Sequence, residues 1–102
     1  MFKRVAKLEE IQEGKLYSIN AKFINIAITL IDGEVIAFED SCSHDGEEIS
    51  SGKIENNCIV CPRHLAKFNL KTGEALTMPA TEPLQILPTR IEDGYVEVEI
   101  SN

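Results

Sequence analysis

Apolar and polar residues alternate through Ile24-Asn25-Ile26-Ala27-Ile28-Thr29-Leu30, a period of two that predicts a half-buried β-strand. Asp32-Gly33 follows, and then the apolar run Glu34-Val35-Ile36-Ala37-Phe38. An Asp-Gly pair between two such runs predicts a hairpin, because both turn residues must tolerate positive φ. The C-terminus repeats the device. Leu84 to Ile91 runs into Glu92-Asp93-Gly94, after which Val96, Val98 and Ile100 alternate with Glu97 and Glu99. Short strands are also expected at Val5–Leu8, Leu16–Ile19, Cys58–Cys61 and Lys67–Leu70, the last closed by Lys71-Thr72-Gly73. Only Leu8-Glu9-Glu10-Ile11 suggests a helix, of one turn before Gly14 stops it. Strands punctuated this often by turns predict an all-β fold, an antiparallel sandwich or a small barrel.

The segment from residue 41 to 83 breaks this rhythm. It is rich in Ser, Gly, Pro and Asn, and it holds both histidines and all three cysteines of the chain. With so little periodic apolar pattern it is expected to pack weakly unless a metal centre ties it down. There is no internal repeat and no low-complexity tract. The 102 residues make one domain, with a core but no room for a separate substrate domain.

Charge removes two classes of partner. Ten Lys+Arg against seventeen Asp+Glu give a net charge of −7, with the basic residues scattered from Lys3 to Arg90. Neither nucleic acid nor an anionic membrane is an expected partner. No apolar run approaches a membrane span, and the opening MFKRVAKLEEIQEG turns acidic too early for a signal peptide. A cytoplasmic location is the expectation. There, three cysteines point to metal or catalysis rather than to a disulfide scaffold.

Both histidines sit beside a cysteine. Ser41-Cys42-Ser43-His44 gives Cys-x-His, Cys61-Pro62-Arg63-His64 gives Cys-x-x-His, and sixteen residues separate His44 from Cys61. Each segment offers one thiolate and one imidazole. A structural zinc site usually groups two cysteines on one knuckle and two histidines on a helix. Here each pair is mixed and no helix is predicted to carry the histidines. Cys58 and Cys61 form Cys-x-x-Cys, but on a strand residues three apart lie roughly 10 Å apart on opposite faces, too far for a disulfide. Cys58 reads as a small buried hydrophobe.

With these two boxes and their spacing, the chain resembles the soluble Rieske-type ferredoxins. Their hallmark is Cys-x-His followed, after a gap of about this length, by Cys-x-x-His. Ser51-Gly52 after the first box, Ala66 to Leu70 with Thr72-Gly73 after the second, Pro79 to Leu84 and Glu92-Asp93-Gly94 extend the likeness. The resemblance covers most of the chain from about residue 30. It implies a Rieske-type antiparallel β sandwich, formed by about residues 1–40 and 84–102, with an inserted cluster-binding subdomain of two loops at about 41–83. It implies one [2Fe–2S] cluster per chain, with Cys42 and Cys61 on one iron and His44 and His64 on the other. Two neutral imidazoles in place of two thiolates make the centre less negative, so an electron enters more easily.

The resemblance also implies a function: a one-electron carrier between a ferredoxin reductase and a terminal oxygenase or similar acceptor, a monomer without catalysis of its own. The alternatives are a small Rieske subunit lodged in an oxidoreductase complex of the nitrite-reductase kind, and a structural zinc-binding interaction domain. Two positions depart from the family pattern, with Arg63 where an aromatic is usual and Leu65 where glycine is usual. Ala66 and Phe68 stand where high-potential members carry Ser and Tyr hydroxyls, and Glu47 and Arg63 where those members carry a bracing Cys pair. This chain is therefore expected in the low part of the Rieske range, which spans roughly −150 to +300 mV. Partners are expected to dock around His44 and His64, among Asp45, Glu47, Glu48, Arg63, Leu65 and Pro79.

Overall fold

The structure is a computed structural model, and it describes residues 2–20, 24–41, 52–61, 66–77 and 84–100. The strands, in chain order, are β1 (Phe2–Lys7), β2 (Tyr17–Asn20), β3 (Asn25–Ile31), β4 (Glu34–Glu39), β5 (Lys53–Glu55), β6 (Cys58–Val60), β7 (Lys67–Asn69), β8 (Ile86–Leu87), β9 (Thr89–Glu92) and β10 (Tyr95–Glu99). A single 3-10 turn at Leu8–Glu10 follows β1. Among the described residues no helix is long and apolar enough to cross a membrane.

The predicted hairpins are present. β3 pairs antiparallel with β4 and β9 with β10. Asp32 and Gly33 take φ 52° and 79°, and Asp93 and Gly94 take 51° and 77°. The paired left-handed residues match the twist of the strands they join. The Glu13 carboxylate caps the first turn, accepting the Asp32 N–H at 2.8 Å and the Gly33 N–H at 3.3 Å.

The strands form three sheets, ordered β1-β10-β9, β2-β3-β4-β8 and β5-β6-β7. The four-stranded sheet lies between the other two, as its alternating side chains show. Ile26, Ile28, Val35 and Ala37 pack in one core with Ala6, Val96, Val98 and Ile100 of the β1-β10-β9 side. Ala27, Ile31, Ile36 and Phe38 pack in a second core with Ile59 and Phe68 of the β5-β6-β7 sheet. The expectation of a single buried face on β3 is thus corrected: Ala27 and Thr29 are as fully buried as Ile26 and Ile28. A sheet covered on both faces does not need alternation.

Part of the middle stretch packs into this second core. Ile59, Cys61, Ala66, Phe68 and Leu70 are all fully buried in the second core. The apolar residues of that stretch are few, but they pack against β3 and β4. The expected strand from Leu84 to Ile91 is split at Pro88, which has no N–H to give to a ladder. β8 joins the middle sheet beside β4, and β9 joins β10 in the outer sheet.

Candidate metal centre

The sheet β5-β6-β7 positions the second Cys-x-x-His box. β6 is Cys58-Ile59-Val60, and Cys61 follows at its end with its side chain wholly removed from solvent. The Cys61 N–H donates to the Ala66 carbonyl at 2.7 Å, which ties β6 to the start of β7. His64 follows Cys61 by three residues in sequence.

The register brings Gly52 to the same end of this sheet. Lys53 pairs with Val60, and continuing that register places Gly52 beside Cys61. Gly52 is where the chain returns from the first box, having left the middle sheet at Ser41, just past β4. A third segment departs here as well. Thr77 Oγ1 accepts the Lys67 N–H at 2.9 Å, and the Leu76 N–H donates to the Lys67 carbonyl at 2.7 Å. Gly52, Cys61, Ala66 and Thr77 therefore all stand at one end of the β5-β6-β7 sheet.

Of the four predicted ligands, Cys61 is within the described residues. Cys42, His44 and His64 lie outside them, as do Asp45, Glu47, Glu48, Arg63, Leu65 and Pro79 of the expected docking rim. Cys58 and Cys61 are both free thiols, consistent with the rejected disulfide. Cys58 opens β6 at its far end, opposite Glu55 and Asn69, and is half-buried rather than buried as expected. Its side chain alternates with that of Ile59, which packs in the second core, and so points to the opposite face of the sheet.

Sequence reasoning missed Asp40, a buried carboxylate 5% exposed, two residues before Cys42. Its N–H donates to the Asn25 carbonyl at 2.8 Å, continuing the β3–β4 ladder, and one carboxylate oxygen lies 3.4 Å from the Ser18 hydroxyl, which donates to it. The signal was present in the period of two, since Asp40 extends the buried series Ile36, Phe38.

The buried free thiol of Cys61 fits a metal–sulfur centre: thiolate is the ligand such a centre requires, and the end of the sheet holds it away from solvent. The comparisons decide the family. Residues 1–88 match the Rieske [2Fe-2S] domain. The chain belongs to the Rieske family. The 3-phenylpropionate/cinnamic acid dioxygenase ferredoxin subunit of Photorhabdus laumondii is 40% identical over 98 residues, 95% of this chain and 92% of that one. The ferredoxin of Sphingomonas yanoikuyae B1 superposes with a TM-score of 0.91 at 26% identity, covering 99% of this chain and 100% of that one. A chain of the complex of reduced oxygenase and oxidised ferredoxin in carbazole 1,9a-dioxygenase gives a TM-score of 0.88 at 28% identity, covering 95% and 91%. The Rieske fold anticipated from the sequence is thereby borne out. So is the cofactor: this Rieske domain carries a [2Fe–2S] cluster, and the structural-zinc alternative falls. As a ferredoxin of this family the chain is an electron carrier and not an enzyme in its own right.

Proposed function

We propose that Cys42 and Cys61 hold one iron of the cluster and His44 and His64 the other, and that the chain carries single electrons from a ferredoxin reductase to a terminal dioxygenase acting on an aromatic acid. When bound, the cluster accepts and releases one electron. The buried Cys61 supports this reading, because its thiol is wholly removed from solvent at the end of the β5-β6-β7 sheet. Its thiolate anchors the inner iron away from water. The imidazoles of His44 and His64, kept neutral and each protonated on the nitrogen not bound to iron, hold down the negative charge of the reduced centre and give the electron its exit.

In this reading residues 41–83 form the cluster-binding part and residues 1–40 with 84–102 the base. The protein works as a cytoplasmic monomer whose contacts with both partners are transient. Asp45, Glu47, Glu48, Arg63 and Leu65, which flank the ligands in sequence, supply mixed charge and a small apolar contact, a composition suited to fast, salt-sensitive association. Reconstitution tests the assignment. The purified protein, a reductase with its nicotinamide donor and a 3-phenylpropionate-type dioxygenase should form hydroxylated product only when all three are present. Turnover that is the same without this chain, or reduced protein that the dioxygenase does not reoxidise, would contradict it.

A further inference from the structure

Asp40 is a buried acid where the fold gives no packing reason for one. It stands just beyond β4, 5% exposed, in line with the buried Ile36 and Phe38. Its carboxylate reaches back across β3 to the Ser18 hydroxyl of β2 at 3.4 Å. Ser18 lies opposite Ala27, and Ala27 belongs to the core shared with Cys61, Ile59 and Phe68. Directly opposed residues of an antiparallel pair share a face. The carboxylate therefore lies on the side of the middle sheet that faces the β5-β6-β7 sheet. In sequence it also stands two residues before Cys42.

We propose that Asp40 is a potential-setting residue: a negative charge held beside the cluster that makes reduction harder and keeps this carrier in the low part of the Rieske range. The proposal rests on the assignment of Cys42 and Cys61 as ligands. Two residues of chain span at most about 7 Å between Cα atoms, which places the carboxylate on the order of 12 Å from the centre once side chains are added. Burial matters because a charge in water would be screened, whereas one beneath the protein surface is not. The Ser18 hydroxyl tempers that charge by donating to it. The Asn25 carbonyl, by accepting the Asp40 N–H at 2.8 Å, fixes the backbone from which the carboxylate projects.

Redox titration of the cluster-loaded protein tests this with Asp40→Asn, which keeps the shape and removes the charge. At an effective dielectric of about 20, removing a unit charge roughly 12 Å away changes a one-electron equilibrium about tenfold. In a buffer poised at the wild-type midpoint, Asp40→Asn should raise the ratio of reduced to oxidised protein about tenfold, an upward shift of about 59 mV. Ser18→Ala keeps the charge and removes its hydrogen-bond donor, and should lower the same ratio. An Asp40→Asn protein with an intact Rieske spectrum and an unchanged or lower ratio overturns the proposal. If Asp40→Asn does not retain its cluster, Ser18→Ala decides, and an unchanged or raised ratio there overturns it. Failure of the ligand assignment looks different: the wild-type protein itself would then lack the spectrum of a mixed cysteine–histidine centre.

Discussion

Gly73 joins the cluster-bearing sheet to the strand that re-enters the middle sheet, and replacing it with alanine gives a prediction with a built-in control. Its φ is 82°, and an added Cβ would meet the Leu84 carbonyl oxygen and lie 3.0 Å from Cγ1 of Ile86. Two hydrogen bonds converge on the same residue: its N–H donates to the Asn69 carbonyl at 2.6 Å, and its carbonyl accepts the Leu84 N–H at 2.6 Å. Gly33 has nearly the same φ, 79°, with nothing within 4 Å of an added Cβ. Gly33→Ala therefore meets only the cost of a left-handed alanine, about 1–2 kcal/mol, offset in part by about 0.4–1 kcal/mol from the stiffer unfolded chain. Gly73→Ala meets the same two effects and must also move Leu84, straining or breaking two hydrogen bonds worth about 1 kcal/mol each. The difference between the variants isolates the close approach at about 2 kcal/mol. For a chain of this size, 1 kcal/mol moves the thermal midpoint by about 4–8 °C. Followed by circular dichroism at one scan rate on cluster-loaded protein, Gly73→Ala should melt about 8–16 °C below Gly33→Ala. It should also bleach its visible absorption at a correspondingly lower temperature. Equal midpoints for the two variants would refute the reasoning that Gly73 is a contact point between layers.

The Thr29 hydroxyl is fully buried and finds no hydrogen-bond partner among the described residues, so Thr29→Val should stabilise the protein by about 1 kcal/mol in urea unfolding, and a loss of stability would contradict the reading. The Glu97 carboxylate lies 2.7 Å from Arg90 and 3.4 Å from Arg4, and its hydrogen bond to Arg90, followed by the charges of both guanidiniums, holds its pKa below the usual carboxylate range despite the opposing effect of burial. Folded Glu97 thus binds a proton less readily than the unfolded chain does. Its contribution is complete above the ordinary carboxylate pKa and is lost as pH falls through the lowered one, so the stability gap between wild type and Glu97→Gln should close on acidification. A gap independent of pH would contradict the pairing. Ala66 and Phe68 are fully buried beside Cys61, and Ala66→Ser with Phe68→Tyr should raise the reduction potential by offering hydroxyl donors to the cluster, an expectation that an unchanged or lowered potential in redox titration would defeat.

Much of the architecture was legible because local signals agreed with the fold. Asp32-Gly33 and Asp93-Gly94 specify hairpins by backbone sterics alone, and the 3-10 turn falls at Leu8–Glu10 where one turn of helix was expected. The misses have physical causes. β5 was not foreseen, since Lys53-Ile54-Glu55 offers one apolar residue and no measurable period. The turn after it was nonetheless written in the sequence: Asn56 and Asn57 take φ 48° and 65°, which asparagine tolerates better than most residues. Burial of both faces of β3 could not be read from its own alternation, because the covering layer comes from Ile59, Cys61, Ala66, Phe68 and Leu70, distant in sequence. Cys61 was singled out by spacing. Asp40 was overlooked although the period of two carried it, because an acid at the end of a strand ordinarily reads as a solvated cap.

The account rests most directly on the four ligands, and pulsed electron paramagnetic resonance of the reduced protein addresses them in one measurement. Cys42, His44, Cys61 and His64 around a [2Fe–2S] centre predict couplings to two inequivalent imidazole nitrogens, and a single remaining coupling in any His44→Cys or His64→Cys protein that retains a cluster. A reduced centre showing no imidazole coupling at all would contradict it.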